Sequence, residues 1–334
     1  MKLQRWQLYF PVLLVIFLLV LPVFMHSLRY LSLLDQLFLN IVLAMGVFSL
    51  WSVGLINAAQ PVFFGLGAYT VAILIIRAHF PYWVVFPLAG IIPAVIGAML
   101  GFISLKMKGA YFLFVTIAFC ELIEWGWSSW NGLFRGNEGY FPIPQPLLKI
   151  FGLRVDFSGL TPYYYLGLIL AVVTCLFYFN LHGSRLGRVW ESVGKNPDLL
   201  ANTGISVFSQ KEICLVVSCF FAGLAGAVYA PYMTIVSPTA FTLWDGIWIV
   251  LGVLVGGIFS PVGAIIGTVF MAILTTYLTR FSNTQPLILG GILVLVLLFM
   301  PSGLFGLPGR IKNKIKELTA DNVVQSERKK TLGK

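Results

Sequence analysis

Ile213-Cys214-Leu215-Val216-Val217-Ser218-Cys219-Phe220-Phe221-Ala222-Gly223-Leu224-Ala225-Gly226-Ala227-Val228-Tyr229-Ala230-Pro231-Tyr232 runs for twenty residues without a charge. As a helix it is long enough to cross the bilayer's hydrocarbon core, which is about 30 Å thick. Its middle is rich in glycine and alanine, the residues that let helix backbones approach in lipid, where no hydrophobic effect drives association. Nine further segments are also mainly apolar: roughly 8–27, 37–56, 61–77, 83–105, 111–130, 162–181, 246–259, 262–279 and 286–300. The pattern predicts an all-α transmembrane bundle of about ten segments, with 61–77, 246–259 and 286–300 short enough to be tilted, broken or re-entrant.

Composition agrees. Of 334 residues, 59% are hydrophobic, 15% aromatic and only 10% charged, with a mean hydropathy of +0.92. A soluble domain carries about a quarter charged residues, so a water-soluble globular protein is excluded. The net charge of +10 would suit nucleic acid if the basic residues shared one folded face. They sit instead between apolar runs and in the tail, so lipid is the expected partner and nucleic acid is not. Met1 to Arg5 followed by an apolar run to Met25 has the charge layout of a signal peptide. His26-Ser27-Leu28-Arg29 is a poor cleavage site, which favours a retained first span.

Basic residues also orient the chain. With the N-terminus cytoplasmic, 16 Lys/Arg fall inside (Lys2, Arg5, Lys106, Lys108, Arg185, Arg188, Lys195, Lys211 and eight in the tail) and 6 outside (Arg29, Arg77, Arg135, Lys149, Arg154 and Arg280). Both termini are therefore expected in the cytoplasm, with 1–308 as one membrane domain and 309–334 as a basic tail. Loop 131–161, rich in Gly, Pro and aromatics, is then extracytoplasmic and suits a pathway mouth or a docking surface. Loop 182–212 is cytoplasmic and carries helix signals: Asn196 can cap, Pro197 favours the first helical position, Asp198 complements the dipole and Gly204 can close in the left-handed conformation. A helix of about two turns from Pro197 to Thr203 is expected, held by contact with something else.

Small residues recur at Gly97-x-x-x-Gly101, at Gly223 and Gly226, at Gly252-x-x-x-Gly256 and at Gly263-x-x-x-Gly267, as helix packing in lipid requires. Phe63 to Tyr69 also echoes Phe220 to Tyr229, through either an internal repeat or shared packing needs. Nothing in the chain resembles a phosphate loop, a metal-ligand set or a nucleophile–base pair, so neither an enzyme nor a cofactor is expected. Cys120, Cys175, Cys214 and Cys219 read as packing residues, and His26, His79 and His182 sit singly near span ends. Glu121 and Glu124 lie midway along the fifth segment, three residues apart. A charged group there costs about 2.5–3.5 kcal/mol on insertion scales, so Glu121 should face protein or a water-filled path. Asn57 and Gln60 stand at the junction before Pro61, where they line the path or satisfy backbone groups freed at a break.

These residues carry a resemblance. Asn57-Ala58-Ala59-Gln60-Pro61-Val62-Phe63-Phe64-Gly65-Leu66-Gly67-Ala68-Tyr69 resembles the signature of permease subunits of branched-chain amino acid ABC importers. Lys108-Gly109-Ala110-Tyr111-Phe112 through Thr116 to Glu121, Gly187-Arg188 with Gly204-Ile205, and the Ala222–Ala230 and Gly252–Gly267 blocks through Pro301-Ser302-Gly303-Leu304 follow in the family's order. Of the two paralogous permeases in such importers, the longer is the more similar. The resemblance implies a second permease, two cytoplasmic ABC ATPases that bind the ATP, an extracytoplasmic binding protein and alternating access. It also implies coupling to the ATPases through Gly187, Arg188, Asn196, Pro197, Asp198 and Gly204. Permeases for urea and amides are similar, and an ion-coupled transporter using Glu121 is the alternative from a different class. Ala59 and Glu124 depart from the family's pattern.

Overall fold

A computed structural model describes residues 17–22, 28–107, 110–150, 153–156, 159–258, 260–278, 285–299 and 303. The tail 309–334, Lys108-Gly109 and most of the first expected segment lie outside the described residues. Helices run as α1 (Leu28–Ser52), α2 (Gln60–Ile76), α3 (Tyr82–Ser104), α4 (Ala110–Ser129), the one-turn α5 (Asn131–Phe134), α6 (Leu160–Gly183), α7 (Arg185–Lys195), α8 (Pro197–Ala201), α9 (Val207–Met233), α10 (Leu243–Gly256), α11 (Pro261–Leu278) and α12 (Gln285–Phe299). One antiparallel hairpin, β1 (Leu147–Ile150) with β2 (Leu153–Asp156), interrupts this helical chain inside the loop expected to be a turn.

Among the described residues seven helices are long and apolar enough to cross a membrane: α1, α3, α4, α6, α9, α10 with the turn before it, and α11. α2 has 17 residues and α12 has 15, so both are shorter than those seven. Three starts differ from the sequence expectation. α1 begins at Leu28 rather than near 37, α9 at Val207 rather than near 213, and α10 at Leu243 rather than near 246. Arg29, Asp35 and Gln36 in α1, and Asp245 in α10, break the apolar pattern without breaking the helix, because each helix is fixed by its neighbours. Phe38 of α1, for example, meets Tyr164 of α6 edge-on at 5.2 Å.

Up to Val250 the chain forms one compact unit around α9, which packs against α1, α2 and α3. In its most apolar stretch 72% of α9 is buried, against 22% for the peripheral α4. Glycines make this possible. A Cβ on Gly67 would collide with the backbone of Gly223, and one on Gly226 with the Phe64 carbonyl. On the other side of α9 a Cβ at Gly223 would collide with the Ala89 carbonyl and come within 2.7 Å of Pro93 Cγ. Gly97 faces Cys219, and Gly101 makes room for the Glu212 carboxylate. From Leu251 onward a second unit repeats the device: Gly256 lies against the Gly263 carbonyl and Gly267 against that of Gly252. Gly252 itself is looser, its nearest neighbour a Met271 carbon at 3.5 Å from a built Cβ.

Loop 131–161 is stitched to helix ends. Tyr140 pairs with Val236 in a short bridge, its N–H donating at 2.9 Å, and Ile143 N–H donates to the Thr234 carbonyl at 3.0 Å. Arg77, just past α2, donates to the Gly132 carbonyl, and the guanidinium groups of Arg77 and Arg135 lie 5.8 and 5.1 Å from the Tyr140 ring centre.

Loop 182–212 is more helical than its sequence suggested. The cap signals at Asn196 and Pro197 are used, but α8 ends at Ala201, and the eleven-residue α7 precedes it. Ser184 caps α7 by accepting from Gly187 N–H. Trp190 and Val193 are buried, and Trp190 Nε1 donates to Gln210 Oε1 at 3.2 Å. At its far end Gly194 lies against the Ser52 carbonyl, where any side chain would clash. α7 is thereby locked to the end of α1 and the start of α9. Lys195 donates to Glu191 at 2.6 Å and holds that carboxyl below its usual range.

Candidate functional site

After α1 the chain turns through Gly54, at φ +76°, and α2 starts at Gln60 with no side-chain cap on Ala59. The backbone of this break is satisfied by protein. Asn57 Oδ1 accepts from Ala59 N–H at 2.8 Å, and the Ala58 carbonyl accepts from Cys120 Sγ at 3.6 Å. Pro61 carries no N–H to satisfy. Gln60 Nε2 donates to Ser218 Oγ at 3.0 Å and to the Ser218 carbonyl at 3.3 Å, while its Oε1 accepts from the same hydroxyl. Gly46 on α1 makes room for this clasp. Asn57 and Gln60 are each 1% exposed. The break therefore lies inside the bundle, level with the interior of α4 and α9.

Glu121 lies on α4. It does not turn into the protomer's core but lies on the outward stripe of α4, with Tyr111, Phe114, Leu122 and Trp125, each more than 60% exposed. Glu124 lies beside it, within electrostatic reach of both Glu121 and Asp245 of α10. Asp245 Oδ2 accepts from Thr242 N–H at 3.1 Å and Thr242 Oγ1 at 2.8 Å, which caps the helix. Among the described residues the only ion pair is Glu191–Lys195, so no described basic side chain pairs with these three acids. Nor do any three His, Cys, Asp or Glu side chains there group closely enough to hold a metal ion. The result is an acidic surface spread beside the α2 break.

A half-open cavity of about 160 Å³ adjoins it, between α1, α2, α9 and α10. Its polar groups are Gln36, Asn40, Tyr229 and Asp245, and Phe64 of the signature stretch forms part of the wall. Tyr229 and Phe64 stack obliquely, centroid to centroid at 5.0 Å. The sequence reading missed Asp245 and Asp35, a buried acid with no bond to either oxygen among the described residues. Both were legible as ionisable groups at membrane depth. Each lies just before the apolar run that marks its helix in the sequence.

The coupling candidates fall on α7, on α8 and just after it, with Gly187 buried and α8 exposed. Arg188 lies on α7, where Gly187 packs against the Leu181 and His182 carbonyls. Asn196 accepts from Leu199 N–H at 3.5 Å, Pro197 and Asp198 open α8, and Gly204 follows at φ +81° with open space around it. α8 buries none of its residues, and Leu199 is 64% exposed.

Residues 29–300, which hold both the break and the acidic face, match the family described as the permease component of branched-chain amino acid transport systems. The chain belongs to that family. That family is one of transport permeases, not of enzymes, and its members are multi-pass membrane proteins. The chain is 30% identical over 270 residues to the high-affinity branched-chain amino acid transport system permease protein LivM of Salmonella typhimurium, and equally to that of Escherichia coli. Each match covers 75% of this chain and 64% of the relative, so the chain spans less than two thirds of these relatives' length. The fructose import permease protein FrcC of Rhizobium meliloti is 25% identical over 269 residues, covering 73% of each chain. No solved structure matches the chain.

Proposed function

We propose that this permease is the membrane-spanning subunit of an ABC importer in the cytoplasmic membrane, moving branched-chain or related amino acids inward by alternating access. Its partners are a second permease, two cytoplasmic ATPases and an extracytoplasmic binding protein. The observation that carries this reading is the acidic face of Glu121, Glu124 and Asp245. Carboxylates at membrane depth are costly against lipid, so this stripe faces a wet path or the second permease. It offers an ammonium-bearing solute a favourable field. The LivM relatives support the solute class, whereas the fructose permease warns that family membership alone does not fix it.

Energy enters from the cytoplasmic partners, through the α7–α8 element docked in a groove of one ATPase. The contact of Gly194 with Ser52 passes motion of α7 to the end of α1. From there the chain leads directly into the break and the Gln60–Ser218 clasp. Both termini and the 182–212 loop are cytoplasmic and loop 131–161 extracytoplasmic, where the stitched Tyr140 region receives the binding protein.

Uptake by the assembled complex carrying Glu121→Gln tests the path. The amide keeps shape and hydrogen bonding but removes charge, so assembly should be normal and uptake per complex reduced. Wild-type uptake would remove Glu121 from the path. Leucine uptake that continued without the ATPase partners would overturn the importer reading as a whole.

A further inference from the structure

We infer that the cavity between α1, α2, α9 and α10 is a solute station within a single protomer, built for a zwitterionic α-amino acid with an aliphatic side chain. This rests on the transporter reading and adds where the solute pauses. The cavity's 160 Å³ is well above the roughly 10–15 Å³ one water needs, so it admits a small solute.

Its two sides differ in chemistry. On one side stands Asp245, whose Oδ2 is held by Thr242 while Oδ1 has no partner among the described residues. The rings of Tyr229 and Phe64 stand nearby. A carboxylate beside aromatic rings is the arrangement that holds an ammonium, by charge and by cation–π attraction. On the other side Gln36 and Asn40 lie one helical turn apart on α1, on the same face. Their carboxamide N–H groups are donors for a solute carboxylate. The remaining wall is aliphatic, with Leu39, Leu43 and Ile249, and suits an apolar side chain. A nucleoside or a sugar would leave many of its hydroxyl groups against that wall without partners.

The test uses the full complex in membrane vesicles, with the four native cysteines replaced and Ala240→Cys introduced in the cavity wall. The new thiol is labelled with a cationic or an anionic methanethiosulfonate reagent. The cationic reagent should react at least about tenfold faster, and saturating leucine should slow labelling severalfold. Neither 3-methylbutylamine nor 4-methylpentanoate, each lacking one charged end, should protect as well. Adding Asp245→Asn, which can keep the Thr242 cap, should bring the two reagents' rates together and abolish protection. Should that variant fail to assemble, Gln36→Leu tests the opposite end and should likewise lose protection. Labelling unaffected by leucine, in complexes that take up leucine, would overturn the station. Leucine protection in complexes that take up no leucine would instead overturn the importer reading and leave the station standing.

Discussion

Gly223→Ala should unfold this permease far more readily than any helix propensity scale suggests. The added methyl would meet the Ala89 carbonyl and come within 2.7 Å of Pro93 Cγ, while Gly67 holds α9 from the opposite side. Carbon atoms in contact sit about 3.5–4.0 Å apart, so α3 and α9 must separate by about 1 Å with α2 blocking retreat. Overpacking of this kind costs about 1–3 kcal/mol. With backbone on both sides the upper half of that range applies, and about 2 kcal/mol is a factor of about 30 in the folding equilibrium. Gly126→Ala is the matched control, because nothing lies within 4 Å of its added carbon. In a helix interior it should be neutral or stabilising by up to about 1 kcal/mol. Thermal unfolding of both variants in the same detergent, followed by loss of the monodisperse species, is the assay. If Gly223→Ala melts with wild type, or Gly126→Ala falls as far, close backbone contact is not what holds α9 in place.

The clasp at the break should show coupling. Ser218→Ala and Gln60→Leu should each destabilise by about 1–2 kcal/mol, and the double variant by clearly less than their sum in the same melting assay, since each removes the other's partner. Gly204→Val has room but the wrong backbone at φ +81°. It should assemble normally yet uncouple ATP hydrolysis from uptake, and tight coupling in that variant would take α8 out of the transmission. Labelling should place a probe at Lys195 on the cytoplasmic side, and periplasmic reaction would reverse the orientation. Glu191, held low by Lys195, lends α7 stability that is full above the ordinary carboxylate value of 4.5 and is lost as pH falls through its lowered value. Both groups are exposed, so the effect is about 0.3–0.5 kcal/mol. Hydrogen exchange across α7, corrected for intrinsic rate, should show that protection falling as the pH drops below 4.5.

Apolar length made the helices legible, and Pro61, Asn57 and Gln60 made the break legible. Its depth was not, because a break's position depends on which neighbours supply its missing hydrogen bonds, here Cys120 and Ser218 from distant parts of the chain. α7 escaped notice because Arg185, Arg188, Glu191 and Lys195 give it little apolar character. Only Gly187, Trp190 and Val193 face inward. The acidic face was half visible: Glu121 and Glu124 are three apart in sequence, but Asp245 joins them only through folding. As for the echo between Phe63–Tyr69 and Phe220–Tyr229, the two stretches lie against each other, Gly67 on Gly223 and Gly226 on Phe64. Each needs small residues because the other does, which accounts for the likeness without a duplication.

That contact also sets a mechanical ratio. Where Gly67 meets Gly223 no side chain interlocks the two helices, so any rocking of α2 would turn on that point as on a fulcrum. Gln60 sits seven residues down the short arm, about 10 Å away at 1.5 Å per residue. Rocking α2 by about 10° carries its carboxamide by about 2 Å, enough to open the 3.0 Å bond to Ser218. The long arm, running on to Ile76, swings further for the same angle, but its end is moored through Arg77 to Gly132. The latch therefore sits on the arm where a given rotation produces the smaller and stronger movement.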